Sequence, residues 1–166
     1  NPTGVLYDTA ILNDMLEVAR QHSLLVFSDE IYDRLVMDGK EHVATASLAP
    51  DLVVVTMNGL SKSHSLCGYR CGWMVISGNI RLGKDYLEGI NMLSNMRLCS
   101  NVPGQSIIQT ALGGYQSVNE YTVPGGRIYE QREFIYKRLN EIPGVSCVKP
   151  QAAFYIFPKL DPDKFH

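Results

Sequence analysis

Apolar positions recur at spacings of three and four after Asp8 and Thr9, either of which can cap a helix. Ile11, Leu12, Met15, Leu16 and Ala19 make one face, and the pattern runs to about His22. A short continuous apolar run, Leu24 to Phe27, follows and ends in Ser28-Asp29-Glu30-Ile31-Tyr32. A run of that kind between helices suits a strand buried on both faces, as in a parallel sheet. Residues 33–52 read as an irregular excursion, with turns at Asp38-Gly39 and Ala49-Pro50-Asp51. Leu52 to Met57 is a second buried strand and Gly72 to Ile76 a third. The link between them is too short for a crossover helix, which favours an antiparallel third strand.

Helical spacing returns from Ile80 to Arg97 through Leu82, Tyr86, Ile90, Leu93 and Met96. Val102-Pro103 opens another helix, carrying Ile107, Ile108, Ala111 and Leu112 as far as Gly113-Gly114. Pro124 opens a long helix to about Ile142, with Ile128, Ile135 and Leu139 facing inward, and Pro143-Gly144 ends it. Val145–Val148 and Phe154–Phe157 are further strand candidates, expected to begin a second domain. The alternation of strand and helix in residues 1–78, then helices, predicts an α/β sheet covered on both faces.

Composition changes this picture little. The chain has 166 residues, 45% hydrophobic and 19% charged, which is ordinary for a globular protein. The net charge is −2 with acids and bases interspersed, so nothing argues for nucleic acid or a membrane surface as partner. No apolar run approaches the ~18 residues of a membrane span. The four cysteines form no CxxC pair and read as free thiols of a reducing compartment, so a cytoplasmic protein is expected. The histidines, His22, His42, His64 and His166, show no metal-ligand spacing. His64, two residues past Lys62, is read as a solvated loop residue before a site residue. Asn1 opens the chain in a turn with no strand before it, and Asp161–His166 break off after a strand-like run. Both ends are expected to be cuts inside a larger protein.

The chemistry concentrates where the strands end. The β-branched run Val53–Thr56 stops at Asn58-Gly59, Lys62 follows, and eight residues on Arg70 stands between Gly68 and Gly72. Asp29 ends the first strand, 33 residues before Lys62. In open α/β sheets ligands bind beyond the carboxyl ends of strands, so parallel neighbours would bring both to one crevice. Lys62 then suits a Schiff base with a phosphate-bearing aldehyde cofactor, and Arg70 suits its anion. Each residue alone has a plainer explanation. Asp29 would be a loop or cap residue, Lys62 and Arg70 surface charges, and Asn1-Pro2-Thr3-Gly4 a turn.

Together the motifs Asn1-Pro2-Thr3-Gly4, Asp29-Glu30-Ile31-Tyr32 and Ser61-Lys62 with Gly68-x-Arg70-x-Gly72 resemble the fold-type I pyridoxal-phosphate enzymes of the class I/II aminotransferases, in order and in spacing. Residues 96–103 and 109–115 most resemble the bacterial glutamate–pyruvate (alanine) type. The resemblance covers essentially the whole chain. It implies the central part of the large, mostly parallel domain over 1–123, then the connecting helix and the start of a small α+β domain over 124–166. It implies amino transfer between an L-amino acid, alanine by preference, and 2-oxoglutarate, ping-pong through pyridoxal phosphate, in a homodimer. Lys62 would carry the cofactor and move the proton at the substrate Cα. Asp29 would face the pyridine nitrogen. Tyr32 and Asn1 would donate to the phenolic oxygen, with Asn1 also touching the substrate carboxylate. Arg70 would clamp the phosphate, with Ser61 adding a hydroxyl. No metal is implied. A β-lyase on the same scaffold, or a non-catalytic sensing module of a transcription regulator, would keep the same cofactor residues.

Two positions depart from the pattern. Gly59 stands where many relatives have a phosphate-binding serine, and Ala152-Ala153 stand in place of a Gly-Gly pair. The family's phosphate loop, its ring-stacking aromatic residue and its substrate-carboxylate arginine are not among residues 1–166. Residues 1–166 alone are therefore expected to show little or no transaminase activity. A coupled assay for pyruvate formed from alanine checks this, and robust turnover would refute it.

Overall fold

The computed structural model describes residues 1–165. His166, one of the histidines weighed above, lies outside the described residues. The chain divides into two compact units. One comprises Tyr7–Ile31 and Val43–Tyr115 and carries the sheet. The other comprises Asn1–Leu6, Tyr32–His42 and the chain from Gln116 onward.

In the sheet-bearing unit, helix α1 (Thr9–Gln21) starts at Asp8, whose carboxylate accepts the Ile11 N–H at 2.9 Å. Of the two candidate caps, Asp8 is the one used. The helix buries Leu16 and Ala19 against Ala49, Leu52 and Val54. Ile11 and Met15, expected on the same face, are exposed, so the buried stripe is narrower than the apolar one. Arg20, in the last turn, pairs with Asp51 at 2.7 Å and ties the helix to the chain before β2.

The first strand, β1, is Val26–Asp29 rather than Leu24–Phe27. The helix exit claims Leu24, since Ser23 takes a left-handed φ of 51° and the Leu24 N–H goes to Ala19 O at 2.9 Å. β1 pairs in parallel with β2 (Val53–Gly59), with Val26 opposite Val54 and Asp29 opposite Met57. β1 is not buried on both faces as predicted. It alternates, and Phe27 on the outer face is 54% exposed and meets Tyr86 edge to face at 5.9 Å. β2 does fit the prediction, with Val53, Val54 and Val55 all buried. After the short helix α2 (Leu60–Ser63), β3 (Gly72–Gly78) returns antiparallel to β2, as the short link requires. The sheet order is β1-β2-β3, a mixed sheet with one parallel and one antiparallel pairing.

The helix foreseen from Ile80 begins as a 3₁₀ turn, and α3 runs Lys84–Arg97. None of its residues is buried, and Leu93 and Met96 of its predicted inner row are open. The single helix foreseen after Val102 is two, α4 (Val102–Ser106) and α5 (Ile108–Gly113). The Ser106 hydroxyl bonds back to Pro103 O at 2.8 Å where they part, a contact that competes with the helical ladder.

The second unit adds α6 (Val118–Tyr121), which the periodicity did not foretell, and α7 (Arg127–Asn140). α7 starts later than Pro124, because Gly125 at φ 87° and an extended Gly126 precede it. Its anchor is charged. Ile135 is exposed, whereas Arg132 is buried. The Arg132 guanidinium bonds Asp38 at 2.6 and 2.7 Å, Glu133 at 2.6 Å and Pro150 O at 3.1 Å, and lies 4.6 Å over the Tyr129 ring. Lys149 closes the network on Glu133 at 2.7 Å. A two-residue pairing joins β4 (Val145–Ser146) to β5 (Lys159–Leu160). Phe154–Phe157 is not a strand. Ala152 makes an isolated bridge to Val36, and Ala153 then turns the chain at φ 60°. No helix among the described residues is long and apolar enough to cross a membrane.

The Arg132 guanidinium, hydrogen-bonded to Asp38, holds that carboxyl below its ordinary value, and Lys149 followed by Arg132 does the same for Glu133. Burial alone would lower the Arg132 pKa, but the two carboxylates outweigh it and raise it. Acids that titrate lower when folded stabilise above their unfolded pKa, and that stability is lost as pH falls through the folded value. Arg132→Leu is therefore expected to cost about 2 kcal/mol at neutral pH, because it takes the charged partner from Asp38 and a donor from Pro150 O, while Glu133 keeps Lys149. The cost should shrink in acid below the ordinary carboxylate range. Urea unfolding of both proteins at neutral and acidic pH measures it.

Candidate active site

The parallel register brings the ends of β1 and β2 side by side. Asp29 closes β1 opposite Met57, and the next residue continues the ladder, with the Glu30 N–H on Met57 O at 2.9 Å. The exposed Asp29 carboxylate accepts the Ile31 N–H at 3.2 Å, which sets the turn out of the strand. Glu30 points the other way. It is buried, and one carboxylate oxygen accepts from the Ser28 hydroxyl and the Thr45 N–H, each at 3.0 Å. In the Asp-Glu pair, the second acid thus holds the 3₁₀ segment Thr45–Leu48 while the first faces solvent.

β2 leads directly into α2. Asn58 turns its side-chain oxygen onto the Gly59 N–H at 2.7 Å, and Leu60 is fully buried as the anchor of the turn. Ser61 and Lys62 are half-buried on this short helix, at the same end of the sheet as Asp29. His64 is not the solvated loop residue expected. Its Nδ1 meets the Ser63 hydroxyl at 2.8 Å and its Nε2 meets Ala111 O at 3.0 Å, so it ties the lysine turn to α5.

Arg70 is exposed and takes a left-handed conformation, φ 50° and ψ 43°. Its guanidinium donates to Cys67 O at 2.8 Å, across its own turn. The turn is held from outside by Asn101. The Asn101 side-chain amide donates to Tyr69 O, and its oxygen caps α4 through the Gly104 N–H at 3.2 Å. Gly104 permits this approach, since a Cβ there would lie 2.6 Å from Tyr69 O. Sequence reasoning assigned Asn101 no role. An asparagine just before Val-Pro was nevertheless a legible cap signal.

Asn1 and Tyr32 belong to the other unit. Asn1 is exposed, in a segment fixed by Gly4 O, which accepts the Gln151 and Ala152 N–H groups at 2.8 and 3.0 Å. Tyr32 is half-buried, and its hydroxyl lies 2.6 Å from that of Tyr155. Among the described residues no cluster of His, Cys, Asp or Glu could hold a metal ion.

The chemistry of the donor set fits pyridoxal phosphate. One unit offers an amine, a carboxylate at the neighbouring strand end, a hydroxyl beside the amine, and a guanidinium on the following turn. Gly59 needs a different account from a lost phosphate ligand. It pairs with Gly72 across the sheet, and a Cβ on it would lie 3.0 Å from Cys71 O and 3.2 Å from Gly72 Cα. Its backbone is extended, so the demand is for space alone.

The chain matches the family "Aminotransferase class I and II" over residues 1–165. It is 54% identical over 166 residues to glutamate-pyruvate aminotransferase AlaA of Escherichia coli strain K12, covering 100% of this chain and 41% of that protein. It is 52% identical over 165 residues to alanine aminotransferase of Mycobacterium tuberculosis strain H37Rv, covering 99% of this chain and 38% of that one. Among solved structures, an aminotransferase from Escherichia coli superposes with a TM-score of 0.96 at 55% identity, over 99% of this chain and 41% of that chain. Alanine aminotransferase from Pyrococcus furiosus gives 0.91 at 43% identity, over 97% and 40%. The chain thus spans about two fifths of the length of these relatives.

Gly72 Cα is held in the strand pairing and Cys71 O lies in the residue joined directly to it, so neither gives way without disturbing that end of the sheet. Gly59→Ser is accordingly expected to destabilise the protein by about 1–2 kcal/mol through overpacking. Thermal unfolding of the variant checks this, and a serine accommodated without loss would show that the pairing yields.

Proposed function

The chain belongs to the class I and II aminotransferases, and on that premise we propose that the protein containing it moves an amino group between L-alanine and 2-oxoglutarate in a ping-pong cycle. Enzymes of this family depend on pyridoxal phosphate. The observation that carries the proposal is the parallel register of β1 and β2, which sets Asp29 beside the strand that delivers Lys62. The alanine preference is supported by the names of the similar enzymes from Escherichia coli, Mycobacterium tuberculosis and Pyrococcus furiosus.

When bound, the cofactor supplies an electron sink for the bond broken at the substrate Cα and a carrier for the amino group. The residues of this chain do the rest. Lys62 would hold the cofactor through its amine and would carry the proton at the substrate Cα. Asp29 keeps a proton on the ring nitrogen by placing a carboxylate against it. Arg70 and Ser61 bind the phosphate, the guanidinium with a fork of donors matched to its oxygens. Tyr32 and Asn1 donate to the phenolic oxygen, and Asn1 also meets the substrate carboxylate. Residues 1–123 are assigned to the cofactor-binding large domain and 124–166 to the connecting helix and the start of the small domain. The whole enzyme is proposed to be a cytoplasmic homodimer.

Absorbance spectroscopy of the full-length protein with pyridoxal phosphate tests the assignment. A pH-sensitive visible band is expected, and borohydride should fix the cofactor to the chain through denaturation. Lys62→Ala should lose both. If the alanine variant still retained the cofactor after reduction and denaturation, Lys62 would not be the point of attachment. An amino-acid panel on the same protein separates amino transfer from β-elimination.

A further inference from the structure

We propose that Tyr155 is a positioning residue for Tyr32: its hydroxyl donates to the Tyr32 oxygen and leaves the Tyr32 proton for the cofactor's phenolic oxygen. This rests on the role proposed above for Tyr32. The two hydroxyl oxygens are 2.6 Å apart although the residues are 123 positions apart in sequence.

The contact is built by the backbone. Gln151 O accepts the Met37 N–H at 3.0 Å, Ala152 bridges to Val36, and the Ala153 N–H reaches Leu35 O at 2.7 Å. Three successive residues thus lock 151–153 onto the segment just after Tyr32. Ala153 then takes φ 60°, a conformation costly for a residue with a Cβ, and this turn launches Phe154 and Tyr155. Their rings meet Tyr32 edge to face, with centroids at 5.4 and 5.6 Å and interplanar angles of 84° and 80°. Tyr32 is therefore confined by two aromatic rings, and one of them brings a hydroxyl to its tip.

Two hydroxyls in one hydrogen bond share a single proton between their oxygens. If Tyr32 were the donor, its proton would be spent on Tyr155. With Tyr155 as donor, Tyr32 keeps its proton for another acceptor. Its oxygen, already accepting, is also polarised into a better donor, since chained hydrogen bonds strengthen one another. An anionic phenolic oxygen at Tyr32 selects that direction. With the cofactor bound, a donor on this oxygen would compete with the proton that the Lys62 nitrogen would share with it. Tyr32 therefore lowers the pH at which that proton leaves, and Tyr155 lowers it further by acting through Tyr32.

The test is the pH midpoint of the visible band in the full-length protein loaded with pyridoxal phosphate. Tyr155→Phe keeps the ring packing and removes only the hydroxyl. The midpoint is expected to rise by a few tenths of a unit in Tyr155→Phe and by about one unit in Tyr32→Phe. In the double variant the second change should add nothing to Tyr32→Phe. A midpoint that stays or falls in Tyr155→Phe overturns the proposal, as does a Tyr155→Phe shift that persists without the Tyr32 hydroxyl. Should Tyr32→Phe itself leave the midpoint in place, the role of Tyr32 is wrong and the proposal falls with it. If Tyr155→Phe does not load with cofactor, Tyr155→His, which retains a donor, is measured instead, and its midpoint should lie closer to the parent than that of Tyr32→Phe.

Discussion

The parallel pairing of β1 with β2 is the constraint on which the candidate site depends. Parallel strands end on the same side, and here the ladder runs past the strands themselves through the Glu30 N–H on Met57 O. That bond holds the exit of β1 beside β2 up to its last residues. Asp29 faces outward because strand alternation leaves it on the open face, and the buried Glu30 fixes the chain behind it. Lys62 follows from the same frame. β2 is buried, Leu60 plugs the turn, and the next residues have little freedom in where they emerge. A slip of one residue in this register would turn Asp29 to the other face.

The return strand adds a second constraint. β3 pairs with β2 down to Gly59 and Gly72, two residues without side chains, and so the backbones close where the chain leaves for Lys62 and Arg70. Gly59, which looked like a missing ligand, is better understood as the space that this closure needs. Arg70 then owes its place to a turn clamped by Asn101 and α4 rather than to the glycines alone.

The second unit buries Leu35, Met37 and Val118, but its long helix is anchored by polar contacts. Its long helix α7 buries a guanidinium shared among two carboxylates and a carbonyl, and covers little of its own apolar row. Directional bonds of this kind fix one geometry more sharply than a greasy face does, at the cost of desolvating the charge. Around Tyr32 the same unit uses a locked backbone and a left-handed alanine to deliver two aromatic rings.

The local pattern was enough to determine the elements around the sheet and to mark the residues proposed to hold the cofactor. A capped helix before Leu24, a valine run at β2, and a lysine and an arginine after it are all written in neighbouring residues, and neighbouring residues decide propensity and capping. The family motifs were legible for the same reason. Tertiary structure alone decided the rest, because it rests on contacts between residues far apart in the chain. It moved β1 to Val26–Asp29, since the helix exit claimed Leu24. Periodicity marked Ile11, Met15, Leu93 and Met96 as inner positions but could not show which of them the chain covers. Nor could it foretell that Arg132 would anchor α7, that His64 would reach Ala111, or that Phe154–Phe157 would turn at Ala153 instead of pairing. A pattern reports which side of an element is apolar, and only the fold determines what lies against it.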